Sequence, residues 1–364
     1  MRKSLIEGFK EKDMQAMVDK MTLNAFYYPT LCPEQFSPTL TISGLSAATG
    51  VPIMADVISF NATTPKKARE IVSKFTGSIP KISIKRALEE DELNYLNMLN
   101  HSLKATNNPE AAKAILDFVY NDLDFCFTGV GARLEWLFLQ GLSKGKVTLD
   151  KTNNAGVKTE TAVNYNVPAA QKIGVAIPWT AANKTTSTPI TNIRTIVKAA
   201  EAKGYKIGYI FMDQTAFDGM AISDETVAFC ASWVLQATQL STTPNLTSVN
   251  AALAGSQLPQ IILIKQSVQV EIESVRTTLN PWTDGIATFV PDKIVGNTYY
   301  APLAEDMVPE STAVRVKRGY VLLKKYATNE PLTEVTIGMA NAFPFWSSAL
   351  KSYIVDTQET TWTF

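Results

Sequence analysis

PEAAKAILDFVYNDLDFCFTGVGARLEWLFLQGL, residues 109–142, is the stretch whose reading decides the fold. Asn108-Pro109 supplies a capping residue and a proline at the first helical position, where the missing N–H takes nothing from the helix. Leu116, Val119, Leu123, Cys126, Val130, Leu134 and Leu137 then recur at steps of three and four, so they share one face. The pattern continues to Gly141 and Gly145, which provide a C-terminal stop. At 1.5 Å per residue such a helix is roughly 50 Å long, well beyond the three turns or so usual in a compact domain. Gly129 and Gly131 each cost about 1 kcal/mol inside a helix and mark a place where it can break or kink. The spacing therefore predicts one long core helix or two shorter ones. A single helix of this length would act as a strut that spans a subunit and braces its neighbours.

The 364 residues are enough for about two domains and a well-filled core. Hydrophobic residues at 46% and charged ones at 19% describe a soluble globular chain. The 34 basic and 34 acidic side chains give zero net charge, which argues against a dedicated nucleic-acid binder. Cys32, Cys126 and Cys230 are odd in number and far apart, so they indicate neither a disulfide framework nor a zinc site. A reduced, intracellular folding environment is the simplest account. MRKSLIEGFKEKDMQAMVDKM carries charges throughout and is not a signal peptide. No uncharged run reaches the length of a membrane span, and no membrane contact is expected.

Residues 1–22 read as a weakly amphipathic helix with Met14, Met17, Val18 and Met21 on one side. Pro29, Pro33 and Pro38 then make residues 26–45 an extended arm rather than a packed element. Its apolar Phe26, Tyr27, Tyr28, Leu31 and Phe36 require a surface to lie on, in this subunit or the next. VPIMADVISF (51–60) and IPKISIK (79–85) have strand character and suggest a long two-stranded excursion that must rest on something. Residues 87–103 read as a helix with an acidic first turn, suited to the positive end of its dipole. KVTLD reads as a strand entering a sheet, and VNYNV follows as another. Residues 175–312 alternate helix and strand as a compact α/β domain, in which Ser223 caps a helix running on through Val227, Ala231, Val234 and Leu235. Residues 313–364, with YVLLKKYA and EVTIGM on either side of a turn, are expected to complete the sheet begun near residue 146.

Charge is uneven along the chain. Residues 51–86 carry an excess of five positive charges, including Lys66, Lys67, Arg69, Lys81 and Arg86. Residues 87–135 carry an excess of six negative charges, with Glu89, Glu90 and Glu92 at the front and Glu135, two residues beyond Arg133, at the back. Any single exposed pair contributes only ~0–1 kcal/mol. The asymmetry between whole segments points instead to electrostatic steering of assembly. These ten residues are the candidates for contacts between subunits.

Familiar catalytic arrangements are missing. The lone histidine, His101, falls on a polar helix end. GLSKG at 141–145 matches a nucleophile elbow as text, but a helix precedes it, a strand follows it, and no histidine follows Ser143. GVGARL at 129–134 lacks the third glycine of a dinucleotide fingerprint. Glu89–Glu92 are consecutive helical residues that point in different directions and form no metal site. No cofactor and no metal are expected.

Several stretches together resemble the lambda-type major head proteins of tailed phages. They are VPIMADVISF with PKKAREIV and GSIPKIS, GVGARLEWLFLQGLSKGKVTL, VNYNV, PWTAAN, NIRTIVKAAEAKGYKIGYIFMD, FVPDKIVGNTYYAPLAEDM and NEPLTEVTIGMANAFPFWSSALKSYIVDT. Arg133, Glu135, Gln140, Leu142, Gly145 and Lys146 resemble that family's helix-end pattern. The resemblance implies an α+β Hong Kong 97-like capsid fold. Residues 1–50 would be the N-terminal arm and 51–86 the extended loop. A peripheral domain of residues 87–174 would hold the spine helix 109–142, with its closing strands in 313–364, and 175–312 would be the axial domain. It also implies self-assembly into the hexamers and pentamers of an icosahedral head that encloses double-stranded DNA without sequence-specific binding. A separate scaffolding protein would be expected, since no long segment precedes the arm, together with a portal protein and, as an optional addition, a decoration protein. The protein would reside in the virion capsid, and in the host cytoplasm during assembly. The rival readings are a soluble α/β enzyme or ligand-binding protein, expected to be a small oligomer, and another virion structural protein such as a tail component.

Overall fold

Pro109–Lys144 form one helix of 36 residues in the computed structural model of the chain, which describes residues 11–46, 73–106, 109–154, 156, 161–231, 243–307 and 313–364. Helix α1 (Glu11–Val18) and the single turn α2 (Tyr28–Leu31) precede strands β1 (Glu34–Phe36) and β2 (Thr41–Ser46). Strand β3 (Ser73–Ser78) pairs with β2, and β4 (Lys81–Leu88) leads into α3 (Glu90–Thr106) and α4 (Pro109–Lys144). A hairpin follows, β5 (Lys146–Leu149) with β6 (Thr161–Asn164). Then come β7 (Lys172–Gly174), α5 (Pro189–Ala202), β8 (Tyr209–Met212), α6 (Gln214–Ile222), α7 (Asp224–Cys230), α8 (Leu246–Gly255) and β9 (Gln260–Leu263). A second hairpin joins β10 (Val268–Ile272) to β11 (Val275–Leu279). The chain ends through β12 (Ile286–Val290), β13 (Asn297–Ala301), α9 (Ala304–Met307), β14 (Val314–Arg318), β15 (Val321–Asn329), β16 (Leu332–Phe345) and β17 (Tyr353–Asp356).

Two units emerge, each gathered from three separated stretches: Met1–Ile42, Ser78–Glu135 and Thr298–Pro344 in the first, Ser43–Gly77, Trp136–Asn297 and Phe345–Phe364 in the second. The first is built on a six-stranded sheet ordered β1-β13-β16-β15-β14, with β4 also paired to β16. Both β15 and β4 pair with residues 334–339 of β16, so they occupy its opposite edges. Helix α4 lies against this sheet: Val119, Leu123, Cys126, Val130 and Leu134 are buried, and the Cys126 thiol donates to the carbonyl of Thr336 on β16.

The glycines of α4 do not break it. A Cβ on Gly129 would come 2.6 Å from Ile84 of β4, and one on Gly131 would come 2.7 Å from Leu23 and 2.8 Å from Phe26. Each glycine marks a place where another segment approaches the helix backbone, which offsets their low helix propensity.

Two expectations about this unit are corrected. Residues 26–32 pack into the subunit's own core: Phe26, Tyr28, Leu31 and Cys32 are buried and Tyr28–Leu31 make a helical turn, while β1 joins β13 in parallel with Phe36 left 56% exposed. Burial of these apolar side chains outweighs the extended bias of the prolines. Residues 81–88 are not half of a projecting hairpin but a strand of the main sheet, in register with β16 over eight residue pairs. The alternating Ile82 and Ile84 suit that surface, and the backbone groups are satisfied there. VPIMADVISF, at 51–60, lies outside the described residues.

The second unit holds a five-stranded mixed sheet, β7-β17-β12-β8-β9, packed by α5 to α8. Ile193, Ile196 and Ala200 of α5 meet Ile210 and Met212 of β8, Phe289 of β12 and Val355 of β17 in one apolar core. Asp213 caps α6 by accepting from the N–H groups of Thr215 and Ala216, and Asn245 caps α8 through Ser248. Ser223 does precede α7, but its hydroxyl donates to the carbonyl of Ser187, 2.9 Å away, rather than capping the helix. Among the described residues β5 pairs only with β6, so residues 313–364 do not complete a sheet begun near 146. They divide instead: β14, β15 and most of β16 belong to the first unit, while β17 joins the second. Residues 298–301 likewise leave the α/β unit for the first sheet, because β13 pairs with β1.

Candidate functional site

The first unit is organised around the place where α4 holds the arm. Glu135 is fully enclosed, and its two carboxylate oxygens accept separately from the backbone N–H groups of Tyr27 and Tyr28, each at 2.9 Å. These donors sit at the start of α2, whose first-turn N–H groups have no partners within the turn. Tyr27 offers no side-chain cap and Pro29 has no N–H, so a carboxylate 107 residues away performs the capping. Burial pushes the Glu135 carboxyl up to about 7, against the opposing pull of the two N–H groups.

The same arm segment is tied at three further points. The hydroxyls of Tyr28 and Tyr320 are 2.7 Å apart, and burial pushes both phenols up. Thr298 donates its hydroxyl to the carbonyl of Cys32 and its N–H to that of Pro33, each at 2.9 Å. The Ser37 N–H donates to the Tyr300 carbonyl. A cavity of about 360 Å³ lies alongside, lined by Met21, Leu23, Tyr28, Glu34, Phe127 and Tyr320 among others.

The charged candidates from the sequence separate into groups. Glu135 is corrected: it is enclosed within its own subunit and is not available to a neighbour. Nor does it pair with Arg133, because residues two apart on a helix do not face each other; Arg133 is half-buried, and desolvation pulls its guanidinium down. Lys81 reaches Glu305 at 3.3 Å with its own side chain 53% exposed, which leaves it accessible to a second contact. Arg86 pairs with the buried Asp122 at 3.2 Å and lies over the Phe125 ring, 5.2 Å from its centroid. Glu92 folds back to accept from the Glu89 N–H at 3.2 Å, which satisfies one free donor at the start of α3, while Glu90 is exposed. Lys66, Lys67 and Arg69 lie outside the described residues.

Sequence reasoning missed one feature here. Lys325 of β15 and Glu334 of β16 form an ion pair at 3.2 Å with both side chains at 0% exposure. Asp122 stands close enough for the Lys325 charge to oppose the upward push of burial on its carboxyl, as Arg86 does more strongly. The signal was in YVLLKKYA: period-two alternation puts Lys324 and Lys325 on opposite faces, so one of the pair had to point inward.

His101 is exposed on α3, and Ser143 lies inside α4 with its hydroxyl 3.1 Å from that of Thr283. Among the described residues no group of three or more His, Cys, Asp or Glu is placed to hold a metal ion. The arrangement is one of anchoring and packing, with charged side chains left at the surface.

A profile of phage major capsid protein E matches residues 31–331. No curated protein matches the sequence. Among solved structures, the putative capsid protein of a prophage in Escherichia coli CFT073 is similar at TM-score 0.58 and 12% identity, covering 96% of this chain and 99% of that one. A phage-related protein from Bordetella bronchiseptica RB50 is similar at TM-score 0.51 and 10% identity, covering 95% and 96%. The α+β architecture described above is thus the Hong Kong 97-like capsid fold.

Proposed function

Because the chain belongs to the phage major capsid protein E family, we propose that its copies join as the hexamers and pentamers of an icosahedral head that encloses double-stranded DNA. The protein is a major capsid protein and its place is the virion capsid. The profile match across residues 31–331 is the observation that carries the reading. In it, residues 1–50 act as the arm, and the loop is shortened from residues 51–86 to those before β4. The peripheral role falls to the six-stranded unit with α4, and the axial role to the α/β unit. The protein's part is structural rather than catalytic. Assembly takes place in the host cytoplasm with a separate scaffolding protein, around a portal, with a decoration protein as an optional addition.

Contacts between copies draw on the candidates Lys66, Lys67, Arg69, Lys81, Arg86, Glu89, Glu90 and Glu92, of which Lys81, Arg86, Glu89 and Glu90 are exposed, with Arg133 at a half-buried position. Arg86 and Lys81 keep 45% and 53% of their side chains exposed while paired within the subunit, so each can serve a neighbour as well. Electron microscopy of the expressed protein tests the reading: rings or shells are expected. A strictly monomeric species in light scattering at high concentration, with scaffold supplied, would overturn it. Changing Lys66, Lys67 and Arg69 together to Glu is expected to impair shell formation while leaving the circular dichroism and melting of the subunit unchanged.

A further inference from the structure

Three lysines meet at the end of α4 in the second unit. Lys144 is the last residue of the helix, Lys146 opens β5 and Lys172 opens β7. Gly145 sits among them at φ +70°, and its lack of a side chain admits Lys172: a Cβ there would come within 3.0 Å of Cε and 3.1 Å of the ammonium nitrogen. Two rings border the cluster. Lys144 Nζ lies 5.4 Å from the Phe364 ring centroid and Lys172 Nζ 5.9 Å from that of Trp362, and the two rings meet edge to face. The Trp362 indole N–H donates to the backbone oxygen of Phe364 and fixes their relative placement.

Among the described residues, none of the three ammonium groups forms an ion pair with a carboxylate. Burial pulls Lys144 and Lys172 below the ordinary lysine range, and the nearby charge of Lys146 adds to both shifts. Like charges gathered in partly dry surroundings are unfavourable in the free subunit, and an anion relieves them. A lysine ammonium meets phosphate as a compact point charge, and three gathered ammonium groups match a polyanion that carries several phosphates along one backbone.

We propose that Lys144, Lys146 and Lys172, bordered by Trp362 and Phe364, form a sequence-independent contact for the phosphate backbone of the packaged DNA. This rests on the reading of the protein as a head-shell subunit. With zero net charge over the whole chain, the contact is a local one, and three phosphates per subunit let the shell line its contents without gripping them.

The test titrates the purified full-length chain with a short random-sequence duplex between about 50 and 200 mM salt. Each phosphate neutralised contributes about 0.9 to the slope of log affinity against log salt, so changing Lys144, Lys146 and Lys172 together to Gln should flatten that slope by about 2 to 3. Changing the exposed Lys12, Lys20 and Lys85 to Gln should leave it unaltered. If the triple variant fails to fold, Lys146→Gln alone, at an exposed position, should remove about 0.9. An unchanged slope, or no duplex binding by the unaltered protein, overturns the proposal. Equal competition by polyglutamate also overturns it, in favour of an acidic protein partner. Micrographs of the same preparations separate the two readings: shells with an unchanged slope sink the DNA contact alone, while the absence of shells sinks the head-shell reading.

Discussion

In the first unit the deepest groups include charges: Glu135, Lys325 and Glu334 are fully enclosed, and Asp122 is 2% exposed. In the second Asp356 and Asp213 are also buried, at 2% and 5%, but the fully enclosed Ile193, Ile210, Met212, Phe289 and Val355 form a continuous apolar core. Both units use a carboxylate from one helix to cap another. Glu225 of α7 accepts from the N–H groups of Ile190 and Thr191 at the start of α5, as Glu135 of α4 accepts from those at the start of α2. Glu225, however, reaches 35 residues along the chain and stays partly exposed, whereas Glu135 reaches 107 and is buried. The difference follows from construction. Most of the α/β unit alternates helix and strand along one stretch, so its side-chain pattern specifies it. The sheet unit brings the arm, β4 and the closing strands together from distant parts of the chain, and directed polar bonds fix which segment sits where.

The contrast is sharpest under truncation. Phe289→Ala should cost about 3–5 kcal/mol by opening a cavity in the α/β core. Lys325→Ala should cost a similar 3–5 kcal/mol for a different reason, because Glu334 is left charged and buried. Replacing Lys325 with Met and Glu334 with Leu together should recover most of that loss in urea denaturation. If the double replacement is as damaging as the single one, the pair is not an electrostatic unit and the contrast fails.

A pH series probes the arm anchor next. The folded carboxyl of Glu135, at about 7, lies above its ordinary 4.5. Between those values the native state keeps a proton that the unfolded state releases. The stability contribution is therefore complete below about 4.5 and is lost as pH rises through about 7, by at most about 3 kcal/mol. Glu135→Gln should abolish that part of the pH dependence. An identical pH profile in the variant would show that the enclosed carboxyl does not titrate in this range. Glu225→Ala, at the partly exposed counterpart, should cost about 0.5–2 kcal/mol. At the bottom of the scale, Lys81→Ala should change stability by less than about 1 kcal/mol, since its bridge to Glu305 is solvated. Any larger effect of Lys81→Ala is expected in shell formation, read by electron microscopy, and not in melting.

What could be read from sequence follows the same division. The apolar face of α4 from Val119 to Leu137, the stop at Gly145, the α5 and β8 pair and the β15–β16 turn all obey a local period, and local periods are visible in one dimension. Gly129 and Gly131 looked like weaknesses because their partners, Ile84 and the Leu23–Phe26 segment, lie 45 or more and 105 or more residues away. Glu135 was singled out by charge and by resemblance, yet its partners are backbone N–H groups, which carry no side-chain signature. The assignment of β4 to the main sheet and the return of β17 to the second were likewise matters of long-range pairing, where strand character alone names no partner.

The three thiols give this architecture an intrinsic set of reporters. Cys32 on the arm, Cys126 on α4 and Cys230 at the end of α7 are free and enclosed. Burial pushes all three up, Cys126 and Cys230 to about 11, so each remains a protonated thiol that reacts slowly with alkylating reagents until its surroundings part. Alkylation followed site by site would then time three separate events: release of the arm, lifting of the long helix from its sheet, and breathing of the α/β unit. Applied to shells before and after they fill, unaltered protein could show which of these openings accompanies the change, with no dye or engineered label attached.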